Sequence, residues 1–309
     1  MKTKVWMALL AIYIVWGSTY LAIRFAVETI PPFLMAGMRF LISGLILYIW
    51  RRAAGDPMPT RRQWRSAVIV GLLLLLGGNG VVSWAEQHVA SGIAALIVAS
   101  IPLWVTLIDA VRPKGVKPDW KVMLGLLIGF GGIVLLVSQT EHAGSSTEMS
   151  VAGVAALLLA AFLWSLGSIY GRDADMPSSS LLGTGIEMLG GATGLFLAAT
   201  FLGEWKQLDL SAITTRSMLG LAYLIVAGSL IGFTSYSWLL RNAPVSLVST
   251  YAYVNPVVAI FLGAWLAGET INMPIIISAL VIIASVVVIN TSKQARPKEI
   301  RESSPEAAD

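Results

Sequence analysis

Ten stretches of roughly twenty residues are apolar almost from end to end, and together they fill most of the 309-residue chain. They run at about 5–25, 32–50, 66–86, 91–111, 120–138, 151–171, 180–202, 216–239, 245–267 and 272–291. A helix of that length reaches across the hydrocarbon core of a bilayer, where only helices and closed barrels satisfy their own backbone. A barrel strand would alternate polar and apolar residues over about ten positions. Continuous runs such as Gly71–Gly77 and Ile275–Ile289 do not alternate. Charged residues make up 12% of the chain, half of the roughly 25% found in soluble domains. The pattern predicts an all-α polytopic membrane protein with ten transmembrane helices. The first run lacks a small-residue cleavage site and is read as a retained span, not a signal peptide.

A net charge of +4 would suit an anionic partner such as nucleic acid, but the placement of the basic residues argues against one. They gather in short loops: Lys2 and Lys4, Arg51 and Arg52, Arg61, Arg62 and Arg65, then Arg112 to Lys121. With a cytoplasmic N-terminus, seventeen of the twenty-one Lys and Arg residues fall on the cytoplasmic side. Positive charge in short loops sets orientation, so both termini are predicted to be cytoplasmic. Residues 293–309 are rich in Pro, Glu, Ser and Ala and read as a disordered tail. The chain has no cysteine, which excludes disulfides, thiolate metal sites and cysteine nucleophiles. His88 and His142 fall in separate predicted loops, so no histidine-rich metal site is expected. The acidic residues are scattered and no phosphate-binding glycine motif precedes a Lys-Ser/Thr pair, so neither an enzyme nor a cofactor is expected.

The chain also repeats itself. Ser83-Trp84 is followed eighteen residues after Trp84 by Pro102, and Ser237-Trp238 is followed at the same distance by Pro256. This register, an offset of 154, aligns Gly78 with Gly232. Nearer the N-terminus, Trp16 to Arg39 and Trp164 to Glu187 both span twenty-three residues, at an offset of 148. Two halves result, 1–140 and 141–292, with five predicted helices each and a polar link at Ser138–Ser150. Because five is odd, the second half crosses in the opposite sense to the first. The expected architecture is two inverted five-helix repeats around a central cavity, an arrangement common in secondary transporters, whose sites lie near the midplane between repeats.

In the first half, Tyr13-Ile-Val-Trp-Gly-Ser-Thr-Tyr20, Pro31-Pro-Phe-Leu-Met-Ala-Gly-Met-Arg-Phe40, Gly78-Asn-Gly80, Ala85-Glu-Gln87 and Ser91-Gly-Ile-Ala-Ala95 form an ordered series. Ile186-Glu-Met-Leu189, Tyr251-Ala-Tyr-Val-Asn-Pro-Val-Val258 and Gly268-Glu-Thr270 continue it. Over nearly the whole chain this series resembles the EamA family of the drug/metabolite transporter superfamily. The resemblance implies ten helices around a central cavity, an inner-membrane location and export of small metabolites or drugs. One departure is visible. Many relatives end the fourth helix with Gly-Glu, as Gly268-Glu269 ends the ninth, whereas here that place reads Pro113-Lys-Gly115.

Arg39 and Glu187 stand alone as ionisable residues well inside spans, each roughly 10 Å deep at 1.5 Å per residue. In inverted halves Arg39 lies in the outer half of the membrane and Glu187 in the inner half. Charges at such depth pair with one another or face a polar cavity. The repeat offers Glu86 as the outer partner of Arg39 and Arg241 as the inner partner of Glu187. These pairs act either as alternating gates that meet substrate or as static struts. Pro102 and Pro256, near the middle of the fourth and ninth helices, each remove a backbone donor. Such kinks either line the site or are absorbed by packing; Asn255 adds a polar group beside Pro256. Trp16, Ser18, Thr19, Tyr20, Trp164 and Ser168 are expected to line an aromatic cavity, with Asn79, Tyr236, Tyr251 and Tyr253 as further candidates. Trp84, Trp238 and Tyr170, near span ends, read as interface anchors. The glycine clusters at 77–80, 129–132 and 190–194 read as points of close helix packing.

The expected function is alternating-access transport of a small-molecule substrate across the lipid bilayer, driven by a gradient, with protons as the coupling ion. A carboxylate such as Glu187 would carry the proton if burial favoured its neutral form. A passive facilitator or uptake permease, and a membrane assembly subunit, are the alternatives.

Overall fold

A computed structural model describes residues 2–113, 117–142, 150–243, 245–248 and 250–294, and every regular element among them is helical. In chain order these are α1 (Lys2–Ala26), α2 (Pro32–Ala53), α3 (Arg61–Gly71), the π-helix π1 (Leu72–Gly80), α4 (Val81–Ala85), α5 (Ser91–Val98), α6 (Ile101–Val111) and α7 (Trp120–His142). There follow α8 (Val151–Asp173), α9 (Ser180–Phe201), α10 (Glu204–Gln207), α11 (Thr215–Tyr223), π2 (Leu224–Ile231), α12 (Gly232–Asn242), α13 (Val245–Val248), α14 (Tyr251–Ala267) and α15 (Met273–Gln294). Eight helical spans, some of them built from consecutive segments such as Arg61–Ala85 and Ser91–Val111, are long and apolar enough to cross a membrane, and two shorter apolar helices, Val254–Ala267 and Met273–Ile289, accompany them. Large apolar side chains such as Ile14, Ile49, Leu127, Phe261 and Trp265 face outward, while Arg39, Glu86, Ser165 and Ser229 are buried. That inversion of the soluble pattern fits helices solvated by lipid.

Local chemistry sets the helix boundaries. Thr60, Ser150, Ser179 and Thr214 each accept a backbone N–H of the first turn that follows, starting α3, α8, α9 and α11. At Thr60 the cap is reciprocal, because Gln63 returns its side-chain oxygen to the Thr60 amide. The polar segment after Ser138, expected as a link, stays helical as far as His142.

Helix ends carry a second device. Among the described residues three have a positive φ, Gly55 (90°), Gly203 (73°) and Gly268 (67°), and each is followed at once by an acid. Glu204 accepts from the amides of Phe33 (3.2 Å) and Leu34 (2.9 Å), capping α2 from outside its own sequence. Glu269 does the same for α5, accepting from Ser91 (2.8 Å) and Gly92 (3.1 Å). Asp56 is held in a fork by Arg51 (2.8 and 2.6 Å) and bonds Ser179, the residue that caps α9. In each case a left-handed glycine ends one helix and turns a carboxylate toward the start of another, where unpaired N–H groups favour negative charge.

The helices pack in pairs: α2 on α9, α7 on α15, α1 on α14, and α8 along π1 and α6. Lipid tails offer no hydrophobic drive between helices, so close approach must supply the attraction. Where α2 meets α9, a side chain at Gly44 would fall 2.9 Å from the Met188 Cβ and 3.0 Å from the Gly185 carbonyl.

Candidate functional site

Between these pairs lies a cavity of about 470 Å³. From α1 it takes Trp16, Thr19, Tyr20 and Ile23, which recur at helical spacing and so share one face. Arg39 enters from α2, Gly78 and Asn79 from π1, and Pro102 and Val105 from α6. Trp164, Ser168 and Arg172 come from α8, Phe233 and Tyr236 from α12, and Tyr251, Asn255 and Pro256 from α14. Three rings surround Trp16: Tyr236 at 5.0 Å, Tyr251 at 5.3 Å and Phe233 at 5.4 Å between centroids. The Trp16 indole N–H donates to the Gly228 carbonyl at 3.2 Å, which fixes the ring that the others contact. The Asn255 amide, with its nitrogen toward the carbonyls of Tyr13 (3.3 Å) and Tyr251 (3.2 Å), donates to both.

Arg39 is the cation of this wall. It is 3% exposed, its Nε donates to Ser229 Oγ at 2.9 Å, and its guanidinium carbon lies 4.7 Å from the Phe40 ring centroid. A Cβ added at Gly228 would sit 3.1 Å from Arg39 Nη2 and 2.9 Å from Thr19 Cγ2, so the bare backbone there makes room for the guanidinium. Among the described residues Arg39 forms no salt bridge. A buried, hydrogen-bonded but unpaired guanidinium in an aromatic wall suits an anionic group on an apolar body.

The two ends of the cavity differ. At one end Arg172, 59% exposed in its side chain, meets Asp109 at 3.4 Å and Asp173 at 3.4 Å. Arg112 joins the same network through Asp109 (3.5 Å) and Asp173. Past Ile23 and Val82 of the wall, and outside the lining itself, Arg24 donates to the Glu86 carbonyl at 2.7 Å, and Glu269 caps α5.

Helices of this length, packed around a polar-lined interior, limit the choice of family, and comparison with known proteins decides it. The model of the EamA-like transporter family matches residues 3–138 and again residues 151–291. The chain belongs to the EamA-like transporter family. The inner membrane transporter YedA of Escherichia coli K12 is 39% identical over 292 residues, covering 94% of this chain and 92% of YedA. The transporter YvbV of Bacillus subtilis 168 is 24% identical over 301 residues, covering 96% and 94%. Protein PagO of Salmonella typhimurium LT2 is 27% identical over 275 residues, covering 88% of each chain. A solved crystal structure with 20% identity superimposes with a TM-score of 0.63 over 94% of this chain and 98% of its own, which shows a shared fold.

Within this EamA chain, Trp16, Thr19, Tyr20, Arg39, Asn79, Pro102, Trp164, Ser168, Tyr236, Tyr251, Asn255 and Pro256 all border the cavity. Ser18 does not. It turns to the opposite face of α1, where its hydroxyl meets the Tyr223 hydroxyl at 2.6 Å. Glu187 is also outside the cavity wall, on the side of α9 whose backbone packs against Gly71. The Arg39–Glu86 ion pair is not formed: Arg39 is taken by Ser229, and neither Glu86 carboxylate oxygen has a hydrogen-bond partner among the described residues. The side chains of Arg241 and Tyr253 lie outside the described residues, and with Arg241 the proposed Glu187 pair. Pro102 does not kink a continuous helix. It stands in the first turn of α6 after a break at Ala99-Ser100, where its missing N–H leaves no bond unmade. Pro256 does lie inside α14.

Three site features escaped the sequence reading. Arg172, at the end of an apolar run, reads as one of the cytoplasmic loop charges that set topology, Ser229 is one hydroxyl in an apolar run, and Phe233 passes for lipid-facing bulk. π1 and π2 were equally hidden, since a widened helix leaves no mark in composition. The glycine cluster at 77–80 does mark close packing: added Cβ atoms would lie 2.7 Å from Leu163 at Gly77 and 2.8 Å from Trp164 at Gly78.

Proposed function

We propose that this EamA-family transporter is a gradient-driven carrier of small metabolites that join a carboxylate or other anionic group to an apolar or aromatic body. The observation that carries this reading is the cavity itself, where Arg39, without a salt-bridge partner among the described residues, shares the wall with the rings of Trp16, Tyr236 and Tyr251. The matches of one family model to residues 3–138 and 151–291 support two repeats of five helices, inverted in the membrane, with the cavity between them. With the positively charged loops on the cytoplasmic side, both termini are read as cytoplasmic. In that orientation Arg172 marks the cytoplasmic end of the cavity and Glu269 the outer end. Solutes pass by alternating exposure of Arg39 to the two sides. Export follows when the cytoplasmic concentration is the larger, and protons are the coupling ion.

The test is uptake of a labelled panel of amino acids, aromatic carboxylates and amphipathic drugs into proteoliposomes, with and without an imposed pH gradient. Accumulation that depends on the gradient supports coupled carriage, and equilibration without accumulation makes the protein a facilitator. If no solute moves, the carrier reading fails and a partner-dependent role takes its place.

A further inference from the structure

The outer end of the cavity holds one charged group that none of these roles uses. Glu86, directly after α4, is 0% exposed, and both of its carboxylate oxygens lack a hydrogen-bond partner among the described residues. Its neighbours are charged and otherwise engaged. Arg24 of α1 donates one N–H, from Nη1, to the Glu86 backbone carbonyl (2.7 Å), Arg39 of α2 donates from Nε to Ser229, and Glu269, beyond α14, accepts from two amides of α5. All three act on the Glu86 carboxylate through their charge, and the neutral Tyr20 phenol of α1 is itself exposed to the Glu86 charge. α8, which packs along α4, brings no charged side chain before Arg172 at its far end.

With every group ionised, Arg24 and Arg39 balance Glu86 and Glu269, and the cluster is neutral. An anion arriving at Arg39 would leave it one negative charge in excess, deep in a medium that opposes net charge. The one group free to remove that excess is the carboxylate without a donor.

We propose that Glu86 is a proton-binding site linked to Arg39, so that an anionic ligand at Arg39 and a proton at Glu86 bind together. The step is simple: one proton adds to the carboxylate to give the neutral acid, and it leaves when the anion leaves. Linkage is reciprocal, so the anion binds more tightly at low pH by the same factor that its presence strengthens proton binding. An anion and a proton that travel together carry no net charge across the membrane, and the substrate and proton gradients together set the direction. The identity of the ligand class rests on the carrier reading above; the existence of the proton site does not.

Two measurements on the purified full-length protein separate them. In infrared difference spectra without ligand, a carboxyl C=O band is expected to titrate with pH, to vanish in Glu86→Gln and to move to higher pH in Arg39→Gln. Glu86→Gln keeps the side-chain volume, and Arg39→Gln supplies a second reading should that variant fold poorly. A band that survives Glu86→Gln, or one indifferent to Arg39, overturns the proposal. In weakly buffered solution, phenylacetate is expected to draw up to one proton per protein, phenylacetamide none, and Glu86→Gln none with either. Phenylacetate affinity should rise roughly fivefold or more from high to low pH in the wild type and stay level in Glu86→Gln. Binding of phenylacetate without proton uptake overturns the proposal. No binding at all defeats the anion reading of Arg39, while the ligand-free titration still decides the proton site.

Discussion

α5 and α13 open the two proline-bearing arms of the cavity wall, yet they begin under different conditions. The first turn of α5 is bound by the Glu269 carboxylate through two amides. In the repeat register, Ser91 plus 154 is Val245, the start of α13, and Glu269 minus 154 is residue 115, a glycine. The other glycine-acid turns follow suit: Gly203-Glu204 and Gly55-Asp56 stand 148 apart, the first capping α2 and the second reaching the start of α9. Three of four related places thus carry an acid. The fourth place reads glycine in the sequence, and among the described residues the Arg172 end of the cavity carries side-chain ion pairs. Charge-assisted bonds to backbone amides are worth roughly 1.5–3 kcal/mol each, whereas side-chain ion pairs open to solvent, as at Arg172, give about 0–1. We expect the Glu269 end to act as the bolt and the Arg172 end as the latch, the second opening at less cost.

The largest effect should come from removing the bolt. Glu269→Ala leaves two amides at the start of α5 unpaired and should lower stability by about 2–4 kcal/mol. Because the chain has no native cysteine, single-cysteine reporters are clean. Ile23→Cys in the cavity wall should gain labelling by an impermeant thiol reagent from the Glu269 side in this background. Unchanged labelling would mean that Glu269 does not hold that end shut.

Glu204 tests whether such caps depend on charge. Burial pushes its carboxyl above the usual range, and the amides of Leu34 and Phe33 offset part of that rise. A raised carboxyl favours folding in its neutral form, so this contribution is present at low pH and lost as pH rises through the folded-state value. Relative to Glu204→Gln, the wild type should lose stability with rising pH in thermal unfolding; parallel curves would remove charge from the explanation.

A smaller change is expected at the latch. Asp109→Asn weakens its links to Arg112 and Arg172 and should alter stability by less than about 1 kcal/mol. It should still raise labelling of Val105→Cys from the Arg172 side. A loss as large as that of Glu269→Ala would erase the contrast between the ends. The least effect belongs to Asp56, whose carboxyl is held down to about 2, chiefly by Arg51 and next by Ser179. Its support is present above the ordinary aspartate value and is lost as pH falls toward 2. Asp56→Asn should therefore cost a small amount of stability at neutral pH, limited by solvent screening, and the difference from wild type should vanish in thermal unfolding as pH falls toward 2.

How much of this could be read beforehand depends on what each feature leaves in the sequence. Uncharged length announced the helices, and a twice-used Ser-Trp to Pro spacing announced the arms. Trp16, Thr19 and Tyr20 belong together because they recur every three or four residues. The same spacing excludes Ser18, two residues from Trp16 and so on the far side of α1, which a residue list taken by polarity alone overlooks. Arg39 was legible because a lone cation in an apolar run has few other uses. Its actual partner, Ser229, was not, since a single hydroxyl among aliphatic residues is equally a helix-packing residue. The break before Pro102 was hidden too: proline is tolerated in a kink and in a first turn alike, and only the bonds of Ala99 and Ser100 distinguish the two.

The central claim is that solutes cross by way of the cavity around Arg39. The most direct test is solute counterflow in proteoliposomes, comparing wild type with Arg39→Gln for matched carboxylates and their uncharged amides. The account predicts that Arg39→Gln abolishes counterflow of the carboxylates and spares that of any amide the wild type carries. Carboxylate counterflow at the wild-type rate in Arg39→Gln would contradict it.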